Sequence, residues 1–358
     1  MNTTAIAVPM QHIGPIHLWM EQTLHQVLVP LATFESPMWP STNRGASVSR
    51  ATDGIYCTLI DDQMTRSVLI QAKTAQDAHH VASWLQQQHA AIQAVFTASS
   101  RFLTLKHLHT EIIGNLLYIR LSAQCGDASG HNMITKGADS FIQWLLQQQP
   151  ALDYVSISGN FCTDKKVSAV NGILGRGKKV IAEMTIPAAV CRERLKTTPS
   201  AIINLHIKKN LIGSIVSAGI RSANAHVANL LLAFYLATGQ DAANIVEGSQ
   251  AIVHSELTPH GDLYFSVTLP NIIVGTVGNG KHHDGIQKNI AQMGCADTLC
   301  APGDNARRLA QIAAATVLCG ELSLLAAQTN PGELMQAHHL FERGDGAYQS
   351  PKAATHLE

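Results

Sequence analysis

Between residues 54 and 146 the apolar pattern changes period several times, and no all-helical or all-strand fold accommodates that. Residues 54–72 alternate as a strand does, through Ile55, Cys57, Leu59, Leu69 and Ile70, with Asp61-Asp-Gln-Met-Thr-Arg66 expected as a loop within them. Thr74-Ala-Gln-Asp77 has the form of a helix N-cap with an acid three residues on. It opens a helix expected to run through Ala82, Trp84, Leu85, Ile92 and Phe96. Residues 102–108 and 116–121 alternate again. The Gly-rich turn Gly126-Asp-Ala-Ser-Gly-His-Asn132 then leads into a helix whose stripe is Met133, Ile134, Phe141, Leu145 and Leu146. Strand, helix, two strands, turn and helix make a compact α+β unit.

This unit sits inside a larger one. Residues 1–30 read as a Pro-marked lead with an amphipathic piece near 18–29, and two Pro argue against a regular helix across 36–40. Beyond the unit, 154–157 and 179–187 read as strands, and helices are expected at 188–196 and 199–211. Residues 224–237 are hydrophobic nearly all round, as a core helix is. Strands fill 250–277, and helices at 283–294, 304–328 and 333–342 complete the chain. The expected fold class is α+β. A large mixed domain, 1–67 with 156–358, surrounds a central apolar helix, and a small ferredoxin-like domain, 68–155, is inserted in it. No Gly-x-Gly-x-x-Gly follows a first strand, so a Rossmann domain is not expected.

Charge narrows the partners. Lys+Arg and Asp+Glu are 25 each, a formal net charge of zero, which argues against a nucleic-acid-binding protein. The longest apolar stretch noted, Leu230-Leu-Leu-Ala-Phe-Tyr-Leu-Ala237, falls short of a membrane span, and the N-terminus lacks the features of a signal peptide. Seven scattered Cys without Cys-x-x-Cys suggest a reducing, cytoplasmic setting with buried thiols. The 18 His follow no zinc spacing, so no metal is expected.

One loop concentrates chemistry. Ser156-Ile-Ser-Gly-Asn-Phe-Cys-Thr-Asp-Lys-Lys166 follows a strand end, and Gly175-Arg-Gly-Lys-Lys179 brings a second cationic segment ten residues on. A solvated turn and a functional loop both fit that composition. The stretch Ser158–Lys166, with Asn171 and Gly175-Arg-Gly-Lys178, resembles the signature of the 3-hydroxy-3-methylglutaryl-CoA (HMG-CoA) reductases, class I type, as a soluble bacterial-type catalytic domain. Similar segments run from about residue 30 to residue 343.

The resemblance implies an NADPH-dependent reductive deacylation of HMG-CoA to mevalonate and CoA by two hydride transfers, within isoprenoid biosynthesis. It implies Lys165 as the cation at the carbonyl oxygen, Asp241 as the residue touching both that Lys and the acid, Glu35 as the acid, and His338 as proton donor to the CoA thiolate, with His339 beside it as the neighbouring choice. Arg66, Ser158, Lys166, Lys209 and Asn229 match positions that hold the HMG group, whose carboxylate needs a cation from Lys166 or Arg66. Asn43 and Arg44 match positions near CoA. For the cofactor, Asp127, Ser129, Gly130 and Asn132 lie in the family's Asp-Ala-Met-Gly-Met-Asn turn, and Gly280 lies in the Gly275-Thr-Val-Gly-Asn-Gly280 segment. Ser100 and Arg101 match the pair that faces the 2′-phosphate, favouring NADPH over NADH. A homodimer or dimer of dimers, with the site between subunits, is likewise implied.

Departures mark where this chain differs. Residues 36–40 carry two Pro and Trp39, the cofactor turn has Ser129 and His131 in place of Met, and Arg221, Ser222 and Asn279 stand where the family has Gly. The Glu-Asn-x-x-Gly dimer motif has no match before Ala7. These departures leave two other readings open: a reductase of a different acyl-CoA, and a non-catalytic descendant with a degraded cofactor site.

Overall fold

The computed structural model describes residues 6–343. Its strands are β1 (Met10–Met20), β2 (Thr23–Ala32), β3 (Ile55–Gln71), β4 (Thr104–Ile113), β5 (Leu116–Gln124), β6 (Asp153–Ser156), β7 (Gly177–Ile186), β8 (Ile252–Leu257) and β9 (Leu263–Ile272). One path of pairing runs β2-β1-β3-β7-β9-β8, and a second runs β4-β5-β3-β6. The fold is mixed α+β, as expected, with β3 common to both paths. Its first half, Tyr56 to Gln63, pairs antiparallel with β7. Its second half, Met64 to Gln71, pairs antiparallel with β5.

The loop expected at 61–66 is therefore the middle of a strand. Its charges misled: Asp62 is only 8% exposed, yet it takes Lys178 at 3.2 Å and Arg307 at 3.0 Å. Asp61 takes Lys106 at 2.8 Å. Buried carboxylates survive inside a sheet when they are paired this way.

Other expectations need correction. The amphipathic piece near 18–29 belongs to the β1–β2 hairpin, whose register slips at a bulge between Ile13 and Ile16. The segment 36–40 does enter a helix, Met38–Arg50, with Pro37 at its N-cap and Pro40 in its first turn. Proline is tolerated there because the first N–H groups of a helix have no partner to lose. The helix from Thr74 to Phe96 is two, Ala75–Leu85 and His89–Ser99, broken at Gln86-Gln-Gln88. Thr74 does cap the first, accepting from the Asp77 amide at 3.1 Å. The 199–211 helix widens into a π-helical stretch, His206–Ile212, that carries Lys209.

The principal core helix is Asp304–Gln328 rather than Val227–Ala237. By length and composition the former could cross a membrane, but 94% of its apolar window is buried inside the fold. It packs on Met38–Arg50 so closely that a Cβ on Gly45 would lie 2.1 Å from the Cys319 carbonyl oxygen. Val227–Ala237 packs against it, with the Glu321 carboxylate accepting the Ala225 and His226 amides at 2.7 and 2.6 Å. A second hydrophobic cluster, including Phe96, Ile119 and Phe141, lies under the strands and helices of the second path.

Candidate active site

The loop after β6 is held from several sides. Gly159 donates to the Ser67 carbonyl at 2.9 Å. The buried Arg120 donates to Phe161 O, to Asn171 Oδ1 and to Gly175 O, and Asn171 donates to Thr163 O. Asn160, Thr163 and Lys165 all have positive φ, a conformation disfavoured for residues with a Cβ. The cross-links make that backbone affordable, and the strain marks the loop as shaped for a task.

Lys165 Nζ lies 2.7 Å from Asp241 Oδ2. Asp241 caps the short turn Ala242–Asn244, its Oδ1 accepting from Ala243 N at 3.1 Å, which leaves Oδ2 for the lysine. The hydrogen bond to Asp241 holds the Lys165 ammonium pKa above its ordinary value, outweighing partial burial. Burial pushes the Asp241 carboxyl up, but the Lys165 hydrogen bond, the Ala243 amide and nearby positive charge prevail and lower it. Arg66 Nε donates to the Ile157 carbonyl at 3.1 Å, beside Ser158. Lys166 Nζ donates to the Asp164 carbonyl at 3.0 Å and is exposed.

A second group forms around a cavity of about 350 Å³ lined by Glu35, Arg44, His226, Asn229, Leu324 and His338, among others. Asn229 Nδ2 donates to Glu35 Oε2 at 2.9 Å. Arg44 binds Glu333 at 2.5 Å and Ser323 through Nε and Nη2. Pro37 and Pro40 line this cavity, whereas the Trp39 indole is buried and donates to Leu31 O at 2.8 Å. Asn43 accepts from the Gly14 amide. Lys209 is half-buried with Nζ 3.4 Å from Asn210 Oδ1, and burial lowers its ammonium pKa against the pull of Glu321. The expected contact of Asp241 with Glu35 is not made within one chain: among the described residues no hydrogen bond or ion pair joins Glu35 to Lys165 or Asp241, and the expected catalytic residues form two bonded groups.

The expected cofactor turn lies at the start of the His131–Gln148 helix, with Gly130 left-handed at φ 96°. Free amides at such an end favour anions. A bridge between Ala128 and Val277 joins it to the Gly275–Gly280 segment. A Cβ on Gly275 would come within 2.3 Å of Ser129 N, so only glycine allows that approach. Asp127 does not face outward: its carboxylate accepts from Gly303 N and Ala306 N at 3.0 Å each, capping the core helix. Asn132 and Arg101 are exposed, and Arg101 stacks its guanidinium 4.7 Å over Phe102. Ser100 Oγ accepts from the Phe102 amide.

Three side chains not anticipated as site residues stand near Lys165: Asp164, Arg176 and His131. Arg176 donates to Asp164 Oδ1 at 2.5 Å, and His131 Nε2 lies 3.8 Å from the same oxygen. Burial, then Arg176, lowers the His131 pKa. The Gly175-Arg-Gly-Lys segment was the available signal for Arg176; His131 had only its departure from Met. Arg221 is left-handed, φ 47°, with its guanidinium over Gly172. No group of three or more His, Cys, Asp or Glu that could hold a metal occurs among the described residues. All seven Cys are free, and all but Cys300 are buried.

The family model described as hydroxymethylglutaryl-coenzyme A reductase matches residues 2–343. A 3-hydroxy-3-methylglutaryl-coenzyme A reductase of Pyrococcus horikoshii is 41% identical over 94% of this chain and 82% of its own length. One from Aeropyrum pernix is 40% identical over 95% and 80%. One from Strongylocentrotus purpuratus is 40% identical over 98% of this chain and 38% of its own. Among solved structures, a class II 3-hydroxy-3-methylglutaryl-CoA reductase of Streptococcus pneumoniae bound to NADPH matches with TM-score 0.73 at 16% identity, covering 92% of this chain and 86% of that one, a likeness of fold. The signature loop, the Lys165–Asp241 pair and these matches over nearly the whole described length lead to one conclusion: the chain belongs to the hydroxymethylglutaryl-coenzyme A reductase family.

Proposed function

We infer that the protein reduces HMG-CoA to mevalonate and CoA with NADPH. The observation that carries this reading is the 2.7 Å pair of Lys165 and Asp241 within the family's signature. Reducing a thioester builds negative charge on the carbonyl oxygen, and a preformed cation there stabilises it. Asp241 keeps Lys165 charged and aimed. Arg66 and Lys166 supply cations for the free carboxylate of HMG, beside Ser158. Glu35, oriented by Asn229, is the acid, and His338 protonates the departing thiolate. Arg44 and Asn43 lie on the helix that borders the CoA side.

The cofactor reading rests on the Gly126–Asn132 turn. Its helix N-terminus and its close approach to Gly275 suit a pyrophosphate, with Gly280 beyond and Ser100 and Arg101 toward a 2′-phosphate. NADPH bound there supplies the hydrides. We assign residues 68–155 as an inserted, ferredoxin-like, non-Rossmann cofactor domain within 1–67 and 156–358. The strand order β4-β5-β3-β6, with helices between β3 and β4 and between β5 and β6, supports that assignment.

The separation of Glu35 from Lys165 supports a homodimer whose site is completed by the second copy. Exposed apolar side chains accompany both groups: Phe34 at 73%, Val167 at 58% and Ile173 at 64% exposure. Ile215 and Val216 are exposed as well, at 78% and 81%. Seven free thiols are compatible with a cytoplasmic setting. Incubation with HMG-CoA and NADPH tests the activity, and absence of turnover by folded protein with either nicotinamide cofactor refutes it.

A further inference from the structure

Glu247 is fully buried, 0% exposed, on the Ile245–Gly248 turn that follows Asp241. Its Oε1 accepts three hydrogen bonds: from the Lys165 backbone amide at 3.1 Å, from Arg176 Nε at 3.3 Å and from Asn244 Nδ2 at 3.1 Å. Its Oε2 is buried without a hydrogen-bond partner. A carboxylate this deep is costly to bury, even with Arg176 as its ion partner. What it holds explains its place. Lys165 has φ 56°, a conformation its backbone keeps only under external restraint, and its amide is fixed by Glu247. Asn244 ends the turn that Asp241 begins. One oxygen atom thus grips both strands of chain that present the pair, the lysine through its own amide and the aspartate through its turn.

We infer that Glu247 is a positioning residue for the reductase chemistry, setting the Lys165–Asp241 geometry from both sides without touching substrate. This rests on the reductase reading above. The arrangement also concentrates charge about the Lys165 ammonium: Asp241, Asp164 and Glu247 favour its charged form, while Arg176 and His131 lie close by. Misplacing a reacting group by about 1 Å costs on the order of 100-fold in rate.

The test is Glu247→Gln, which keeps the shape and removes the charge, assayed beside the wild type. The expected result is a kcat lower by roughly 10- to 100-fold with KM for HMG-CoA and NADPH essentially unchanged. Acylation of Lys165 by an amine-reactive reagent at fixed alkaline pH, read by peptide mass spectrometry, is expected to be faster in the variant, because its ammonium loses a supporting charge. Wild-type turnover with unchanged kcat and unchanged Lys165 reactivity in Glu247→Gln overturns the inference; no wild-type turnover overturns the reductase reading instead. If Glu247→Gln does not fold, Asn244→Ala, which removes one donor and leaves the carboxylate charged, is expected to lower kcat severalfold at constant KM. A wild-type kcat in Asn244→Ala then overturns the inference.

Discussion

Lys165 and Asp241 are 76 residues apart in sequence and 2.7 Å apart in space, one at the tip of a strained loop and the other capping a turn. Each shifts the other: the lysine's pKa lies above 10.5 and the aspartate's below 3.8. The pair's contribution to stability is therefore complete between those ordinary values. It fades as pH rises through the raised lysine value and as pH falls through the lowered aspartate value. Asp241→Asn removes the lysine's main support, so the alkaline limb of kcat should move to lower pH, and kcat itself should fall by about 100-fold or more. A pH–rate profile of wild type and variant checks both; an unmoved alkaline limb contradicts the pairing's role.

Arg101 is exposed at the end of the His89–Ser99 helix, free to meet an anion. Arg101→Ala should raise KM for NADPH by about 10-fold, the loss of roughly 1.4 kcal/mol from a charge-assisted contact, and leave KM for NADH nearly unchanged. Parallel saturation curves with the two cofactors measure this, and an equal effect on both removes Arg101 from the 2′-phosphate.

Gly45 is the point where two helices meet backbone to backbone. With a new Cβ 2.1 Å from the Cys319 carbonyl oxygen, Gly45→Ala must push Met38–Arg50 away from the core helix. Overpacking of that kind costs about 1–3 kcal/mol. Urea unfolding should show a lower midpoint, and because Arg44 lies on this helix and Glu35 just before it, a higher KM for HMG-CoA should accompany it.

Local chemistry made parts of this fold legible in the sequence. The Thr74 cap and the 304–328 helix were readable because one side-chain oxygen, or one long apolar pattern, decides each. Lys165 and Asp241 were readable because their neighbours in sequence form the motif. The centre of β3 was not, because Asp61 and Asp62 look like loop residues until Lys106, Lys178 and Arg307 arrive from elsewhere in the chain. Pro37 and Pro40 look like helix breakers unless the helix start is known. Glu247 gave no local signal, since its three donors come from Lys165, Arg176 and Asn244, and only the first two are distant in sequence. That Glu35 bonds to Asn229 while Lys165 bonds to Asp241 depends on tertiary structure that no spacing encodes.

Arg44 is already engaged by Glu333 and Ser323. To reach CoA it must exchange a partner, and Glu333 stands on the helix that carries His338. Glu333→Ala should change stability by no more than about 1 kcal/mol, as a partly exposed pair does, and should lower KM for HMG-CoA by freeing the guanidinium. Arg44→Ala should raise it. Steady-state kinetics of the two variants separate these outcomes, and a raised KM in Glu333→Ala would show that the ion pair organises the cavity instead.

The proposed reduction depends on Lys165 as the cation at the carbonyl oxygen. The most direct measurement follows loss of reduced-nicotinamide absorbance together with mevalonate formation for the wild type and Lys165→Ala. The wild type should consume two NADPH for each mevalonate, and the variant should lose turnover while it still folds. Full activity in Lys165→Ala, or NADPH consumption without mevalonate in the wild type, would contradict it.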